Sequence, residues 1–173
     1  MTDLPALDPT IQDDAAPFWA ATAEHRLVLP RCNDCDTFIW YPRGFCPACS
    51  SFDIDWVEVP GTGTVYSFSI PRRGQGAYRD AAPYVVAYVE LDVPGEQPGP
   101  RIITNIVGCE PDDVAVDLRV EATFDDTASG HAMVRFNPPV RRPAFRAPSG
   151  RPAAPPPMRH GHRPARPARH DAA

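Results

Sequence analysis

Four cysteines carry the clearest chemistry in this sequence. They stand as Cys32-Asn33-Asp34-Cys35 and Cys46-Pro47-Ala48-Cys49, two Cys-x-x-Cys pairs separated by ten residues. Each pair can bend the backbone into a knuckle that aims two thiolates at one point. Two knuckles joined by a short ribbon then give a tetrahedral sulfur site. Zinc prefers that geometry in closed structural sites, and iron in a rubredoxin-like site accepts the same ligands. A redox pair of the thioredoxin kind uses one Cys-x-x-Cys within a βαβ pattern, which is not found here. The spacing therefore predicts a structural metal held by Cys32, Cys35, Cys46 and Cys49.

Other residues of chemically active type lack the partners that chemistry needs. Gly61-Thr62-Gly63 lacks the further glycine, lysine and helix of a phosphate loop, so it reads as a bend entering a strand. His25 and His131 have no serine or cysteine partner at telling spacing, which leaves no hydrolase triad, and His131 falls in a hairpin loop. Cys109 ends an apolar run and reads as a small buried residue. The stretch Pro71-Arg72-Arg73-Gly74-Gln75-Gly76-Ala77-Tyr78-Arg79-Asp80 joins two strands and collects arginines, glycines and a tyrosine. Arginine suits phosphate and tyrosine can stack on a base, so this loop is the place to look for ligand contacts.

These groups need elements to hold them. A short helix is predicted near Ala15-Ala16-Pro17, capped by Asp13 or Asp14, with Phe18 and Ala21 at helical spacing. Leu27-Val28-Leu29 leads into the first knuckle, and Phe38-Ile39-Trp40-Tyr41 is expected as the first arm of a hairpin inside the ribbon. From Ile54 to Phe136 the pattern becomes strands: Trp56–Val59, Gly63–Ile70 with a shift in its alternation, Tyr84–Leu91, Arg101–Val107, Leu118–Phe124 and Ala132–Phe136. A helical turn at Glu110–Val114 precedes the last two. That order predicts a mainly β protein: helix and zinc ribbon over 1–53, a small Greek-key barrel of OB type over 54–137, and a disordered tail over 138–173.

Charge narrows the function. Residues 1–137 hold nine arginines against 21 carboxylates, whereas 138–173 hold eight arginines against Asp171 alone. An acidic body argues against a nucleic-acid surface on the folded part. The start of the chain has no signal peptide, and no stretch approaches the ~20 apolar residues of a membrane helix, so a cytoplasmic, reduced setting is expected.

Residues 15–137 as a whole resemble a known family. The resemblance rests on the short helix, the two Cys-x-x-Cys knuckles around an aromatic-Pro-Arg segment, Trp56, and Gly61-x-Gly63-Thr64-Val65-Tyr66-Ser67. It continues through Pro83-Tyr84-Val85-Val86-Ala87 and Arg101-Ile102-Ile103-Thr104-Asn105-Ile106-Val107-Gly108-Cys109. These resemble the rubredoxin-like zinc-ribbon plus OB-fold proteins that accompany thiolase-like enzymes, formerly a domain of unknown function. Asp36 stands where that family often has glycine, and Tyr41 where it has the first of a proline pair.

The resemblance implies a non-catalytic accessory subunit in a hetero-oligomer. Its partner would be an acyltransferase or a lipid-transfer-type retro-aldolase acting on acyl-CoA, as in steroid side-chain degradation. It implies zinc at the four cysteines, with iron as the lesser alternative, and acyl-CoA as a ligand shared with the partner. Arg72, Arg73 and Tyr78 are the residues here that could contact the CoA. The reading from another class is a single-stranded nucleic-acid-binding protein, since OB folds and zinc ribbons both serve that role.

Overall fold

The computed structural model describes residues 4–95 and 98–139. A 3-10 turn (Asp13–Ala15) runs into helix α1 (Ala16–Thr22). Neither Asp13 nor Asp14 caps the helix by a side-chain hydrogen bond; both lie inside the turn, which follows Gln12. Their charge is still favourable at a helix start. Pro17 sits in the first helical turn, where its missing N–H is not needed. Phe18, Ala21 and Thr22 form the buried face. Thr22 Oγ1 donates to the Trp19 carbonyl (2.8 Å) and accepts from the Ala132 N–H (3.2 Å), tying the helix to the last strand.

Strands β1 (Val28–Cys32) and β2 (Ile54–Glu58) pair antiparallel as a two-stranded ribbon, with Pro30 opposite Trp56 and Cys32 opposite Ile54. Two expectations are corrected here. The segment Phe38–Tyr41 forms no hairpin arm: only Phe38 bridges to Arg31, and the Ile39 N–H donates to the Pro30 carbonyl (2.8 Å). On that edge Pro30 has no N–H to return, so the ladder cannot extend. Trp56–Val59, expected to open the barrel, instead supplies β2 of the ribbon. Its alternation marks it as a strand but carries no information about which strand it will join.

Strands β3 (Thr62–Ser69), β4 (Val85–Leu91), β5 (Arg101–Ile106), β6 (Arg119–Asp126) and β7 (Ala132–Asn137) close a barrel in the order β3-β4-β5-β7-β6. All pairings are antiparallel except β5 with β7, which meet in parallel at Ile106 and Phe136. This is the expected Greek-key barrel of OB type, and the 3-10 turn Pro111–Asp113 precedes the last two strands. The shift in the β3 pattern is a bulge: the register slips between Val65 and Ser67, leaving Tyr66 as the extra residue. Gly61 (φ 70°) makes the bend before β3. A Cβ on Gly63 would lie 2.6 Å from the Glu90 carbonyl oxygen, so the close β3–β4 approach requires glycine there.

The core runs through the barrel and out to the helix and β1. Val65, Val89, Ile102, Val120 and Phe136 are buried together with Phe18, Leu27 and Leu29. Each such side chain contributes about 1.5–3 kcal/mol on burial. One charge is buried with them. Arg135 is 1% exposed; its guanidinium donates to Asn105 Oδ1 (3.2 Å) and to the carbonyls of Pro5 (2.9 Å) and Leu4 (3.4 Å). Its Nε lies 2.5 Å from Asp125 Oδ2, an ion-pair contact outside hydrogen-bond geometry. The lead-in before the helix is thereby strapped to the barrel, and Asp8 adds a second tie by accepting from the Ser129 N–H (2.9 Å). The tail expected to be disordered lies, from residue 140 on, outside the described residues.

Candidate metal centre

The four predicted cysteines converge. β1 delivers Cys32, and the turn after it brings round Cys35, with the Asp36 N–H donating to the Cys32 carbonyl (2.9 Å). The second knuckle repeats this closure, with the Ser50 N–H on the Cys46 carbonyl (2.8 Å) and the Cys46 N–H on the Ser51 carbonyl (2.7 Å). Asp36 (φ 60°) and Ser50 (φ 63°) each follow the second cysteine of a knuckle in left-handed backbone. Glycine is the least strained residue in that conformation, so both positions carry backbone strain. Asp36 is held by an ion pair with Arg31 (2.5 Å).

The sulfurs are spaced for a metal. Sγ of Cys32 lies 3.5 Å from that of Cys49, Sγ of Cys35 lies 3.5 Å from that of Cys46, and all four fall within 4.8 Å of one another. Four sulfurs about 2.3 Å from a central ion would form a tetrahedron with edges of roughly 3.8 Å, so the cage fits zinc or iron. Contact with the Thr37 hydroxyl (3.2 Å) and its N–H brings the Cys35 thiol down to about 6. Cys49 is pushed up to about 12: the Ser51 N–H pulls it down but is outweighed by the neighbouring thiols and by burial. Four thiols this close cannot all ionise without a cation, and a bound divalent metal removes that conflict. Such a metal supplies cross-linking of the ribbon.

Residues 19–55 match the family described as the ChsH2 rubredoxin-like zinc ribbon domain, and residues 56–125 match the ChsH2 C-terminal OB-fold domain. The chain belongs to this family. It is 36% identical over 132 residues to the "probable enoyl-CoA hydratase alpha subunit" of Thermomonospora curvata, a match covering 76% of this chain and 40% of that protein. It therefore spans about two fifths of that relative's length. It is 34% identical over 99 residues to a "DUF35 domain-containing scaffold protein" of Methanocaldococcus jannaschii, covering 57% of this chain and 67% of the relative. Among solved structures, a chain of an "Ltp2-ChsH2(DUF35) aldolase" matches with a TM-score of 0.67 and 36% identity, over 76% of this chain and 98% of that one.

The ChsH2-type fold spreads the other candidates out. Arg72, Arg73 and Tyr78 lie on the loop between β3 and β4, but Arg72 pairs with Asp112 (2.8 Å), Arg73 is exposed, and Tyr78 leans on Tyr84 with centroids 5.3 Å apart. Gly74 lets that loop turn back on itself: a Cβ there would overlap the Tyr78 carbonyl. Cys109 is half-buried, not enclosed as expected; it lines a cavity of about 620 Å³ beside Glu110, Ile106 and Asp125. Burial, followed by the Asp113 and Glu110 charges, raises its thiol pKa and keeps it a poor nucleophile.

The two histidines are not isolated either. His25 Nε2 meets Asp126 (2.7 Å) and its ring stacks on Phe124, while His131 Nδ1 lies 3.1 Å from Ser129 Oγ. That serine and histidine are two residues apart in the turn between β6 and β7, where the Ser129 N–H donates to Asp8 and so anchors the lead-in. Sequence reasoning missed Phe52, which is 81% exposed beside the second knuckle. An aromatic alone among Ser50, Ser51 and Asp53 was a visible sign of it. Among the described residues no helix is long and apolar enough to cross a membrane.

Proposed function

We propose that this chain is a non-catalytic accessory subunit of an acyl-CoA enzyme, with zinc in the ribbon at Cys32, Cys35, Cys46 and Cys49. The single observation that carries the reading is the match to the Ltp2-ChsH2(DUF35) aldolase chain, 98% of which is covered at 36% identity. The likeness extends to essentially the whole of that chain. The hydratase alpha subunit supports the same substrate class, because there the matched region forms part of a longer protein named for acyl-CoA chemistry.

In this reading the enzyme is a thiolase-like or lipid-transfer-type aldolase, its substrate an acyl-CoA such as those of steroid side-chain degradation, and the complex is cytoplasmic. The loop between β3 and β4 faces the CoA. Arg72 and Arg73 meet its phosphates and Tyr78 its base. Arg72 is available for this, since its pair with Asp112 is solvent-exposed on both sides and exchanges at little cost. The nucleic-acid reading is disfavoured by the 21 carboxylates against nine arginines over residues 1–137.

Co-expression with a thiolase-like or lipid-transfer-type enzyme, followed by size-exclusion chromatography and an acyl-CoA assay, tests the proposal. The subunit should co-elute with that enzyme and show no turnover alone. Product analysis then separates retro-aldol cleavage from hydration. Arg73→Ala should raise KM for acyl-CoA about tenfold with kcat little changed. A subunit that stays apart from the enzyme, or turns over acyl-CoA alone, overturns the proposal.

A further inference from the structure

The knuckle end of the ribbon has almost no interior. Its buried cluster is Cys32, Ile39 and Cys46, with Cys35 and Ile54 packed against it, so the sulfurs fill the space where a core would be. Phe38 and Trp40 escape this by packing on the barrel-side core. Phe45 and Phe52 join neither cluster. They are 43% and 81% exposed, with ring centroids 6.5 Å apart, and they flank the second knuckle on its two sides in the chain. The knuckle turn is closed by backbone bonds between Cys46 and Ser50 or Ser51, and the Asp53 N–H donates to Ser51 Oγ (3.1 Å). A bound metal would lock this turn, so the two rings are presented on a rigid base.

The border of this patch is anionic. Arg31 and Asp36 neutralise each other and Glu58 pairs with Arg26 at the far end of β2, which leaves Asp34, Asp53 and Asp55 against Arg43 around the knuckles. Asp53 and Asp55 are held side by side by the Asn33 amide, at 2.9 and 3.1 Å. An aromatic pair edged with carboxylates repels CoA phosphates and nucleic acid alike. It complements an apolar protein recess edged with lysine or arginine.

We infer that Phe45 and Phe52 form a metal-rigidified plug that seats the ribbon in an apolar, basic-edged recess of the acyl-CoA enzyme. This rests on the accessory-subunit reading and adds where the partner is gripped and by what chemistry. The arrangement divides the molecule: the arginine-bearing loop serves the anionic ligand, and the acidic knuckle serves the protein.

The test uses the metal-loaded full chain and the enzyme with which it co-elutes. Phe52→Ser should retain its metal and its melting temperature, because the ring is solvated, yet weaken the complex tenfold or more. Phe45→Ser should act the same way, and Asp53→Asn should flatten the loss of affinity between low and high salt. Unchanged affinity in Phe52→Ser and in the double variant, with wild type bound, overturns the plug while leaving the accessory role standing. Wild type that fails to bind the enzyme overturns both. Sedimentation of the chain alone covers the other occupant: self-association abolished by Phe52→Ser would assign the patch to a second copy and overturn the inference.

Discussion

The ribbon and the barrel are both built from short antiparallel strands, but they are held by different forces. The barrel buries Val65, Val89, Ile102, Val120 and Phe136 around one axis. The cysteine end of the ribbon buries one aliphatic side chain, Ile39, between two cysteines, while the other end of β1 sends Leu29 into the barrel-side core. Area burial accounts for the first and cannot account for the second. Coordination must then carry the ribbon, and that frees its aromatic side chains for other surfaces. A region stabilised by four sulfurs can afford to leave Phe52 in water; a region stabilised by apolar packing cannot.

Removing the metal should separate the two regions most sharply. Structural zinc contributes on the order of 10–16 kcal/mol in small finger peptides, more than a ribbon of this size can lose. Cys46→Ser, or a strong chelator, should release the metal and expose the backbone amides of both knuckles and of Cys32 and Ile54, where β1 and β2 meet them, to hydrogen exchange. The amides of Val89 and Ile102 should stay protected. Loss of protection in both regions together would show that they share one cooperative unit and that the contrast is false.

The buried arginine gives the next effect. Arg135→Ala leaves Asp125 without its counter-charge and the carbonyls of Leu4 and Pro5 without their donor. Breaking a buried pair this way should cost about 3 kcal/mol in a urea titration, at the low end for such pairs because Asp125 is 40% exposed. Metal content should not change. A smaller loss, about 1–3 kcal/mol, is expected for Gly63→Ala, where the added methyl meets the Glu90 carbonyl and Val89. It too should spare the metal.

The smallest effect is in pH. The Arg119 guanidinium, helped by the Thr62 hydroxyl, holds the Asp92 carboxyl below its usual 3.8. A depressed folded-state pKa means the contribution is fully present above about pH 4 and fades as pH falls through the folded value. Asp92→Asn should therefore lower barrel stability slightly at neutral pH, flatten the acid limb, and leave stability below the folded pKa nearly unchanged.

Much of this was legible because it is local. Cys-x-x-Cys spacing is set within four residues, and strands β3 to β7 announce themselves by alternation and by the glycines between them. Even the bulge at Tyr66 shows as a slip in the pattern. What was hidden depends on distant partners. Nothing within the segment Trp56–Val59 says that it pairs with β1 instead of a barrel strand. Arg135 sits in β7 between Val134 and Phe136, and both it and Phe136 are buried, against the alternation. Its acceptors lie some 130 residues earlier in the chain, and no motif joins them. The cavity beside Cys109 is likewise made by segments that meet only in the fold.

The strap over Arg135 has a consequence for how the molecule is made. Leu4 and Pro5 leave the ribosome well before their donor, since the guanidinium whose hydrogen bonds they accept belongs to the last strand of the barrel. At about 5–20 residues per second, the lead-in waits on the order of ten seconds or more before its partner emerges. During that interval the helix, ribbon and early strands can form, while the barrel lacks β7 and remains open along β5 and β6. The nascent chain therefore exposes the apolar edge of a half-built barrel until translation of residue 137 is complete. Closure then comes in one step, when β7 enters and draws both ends of the fold together.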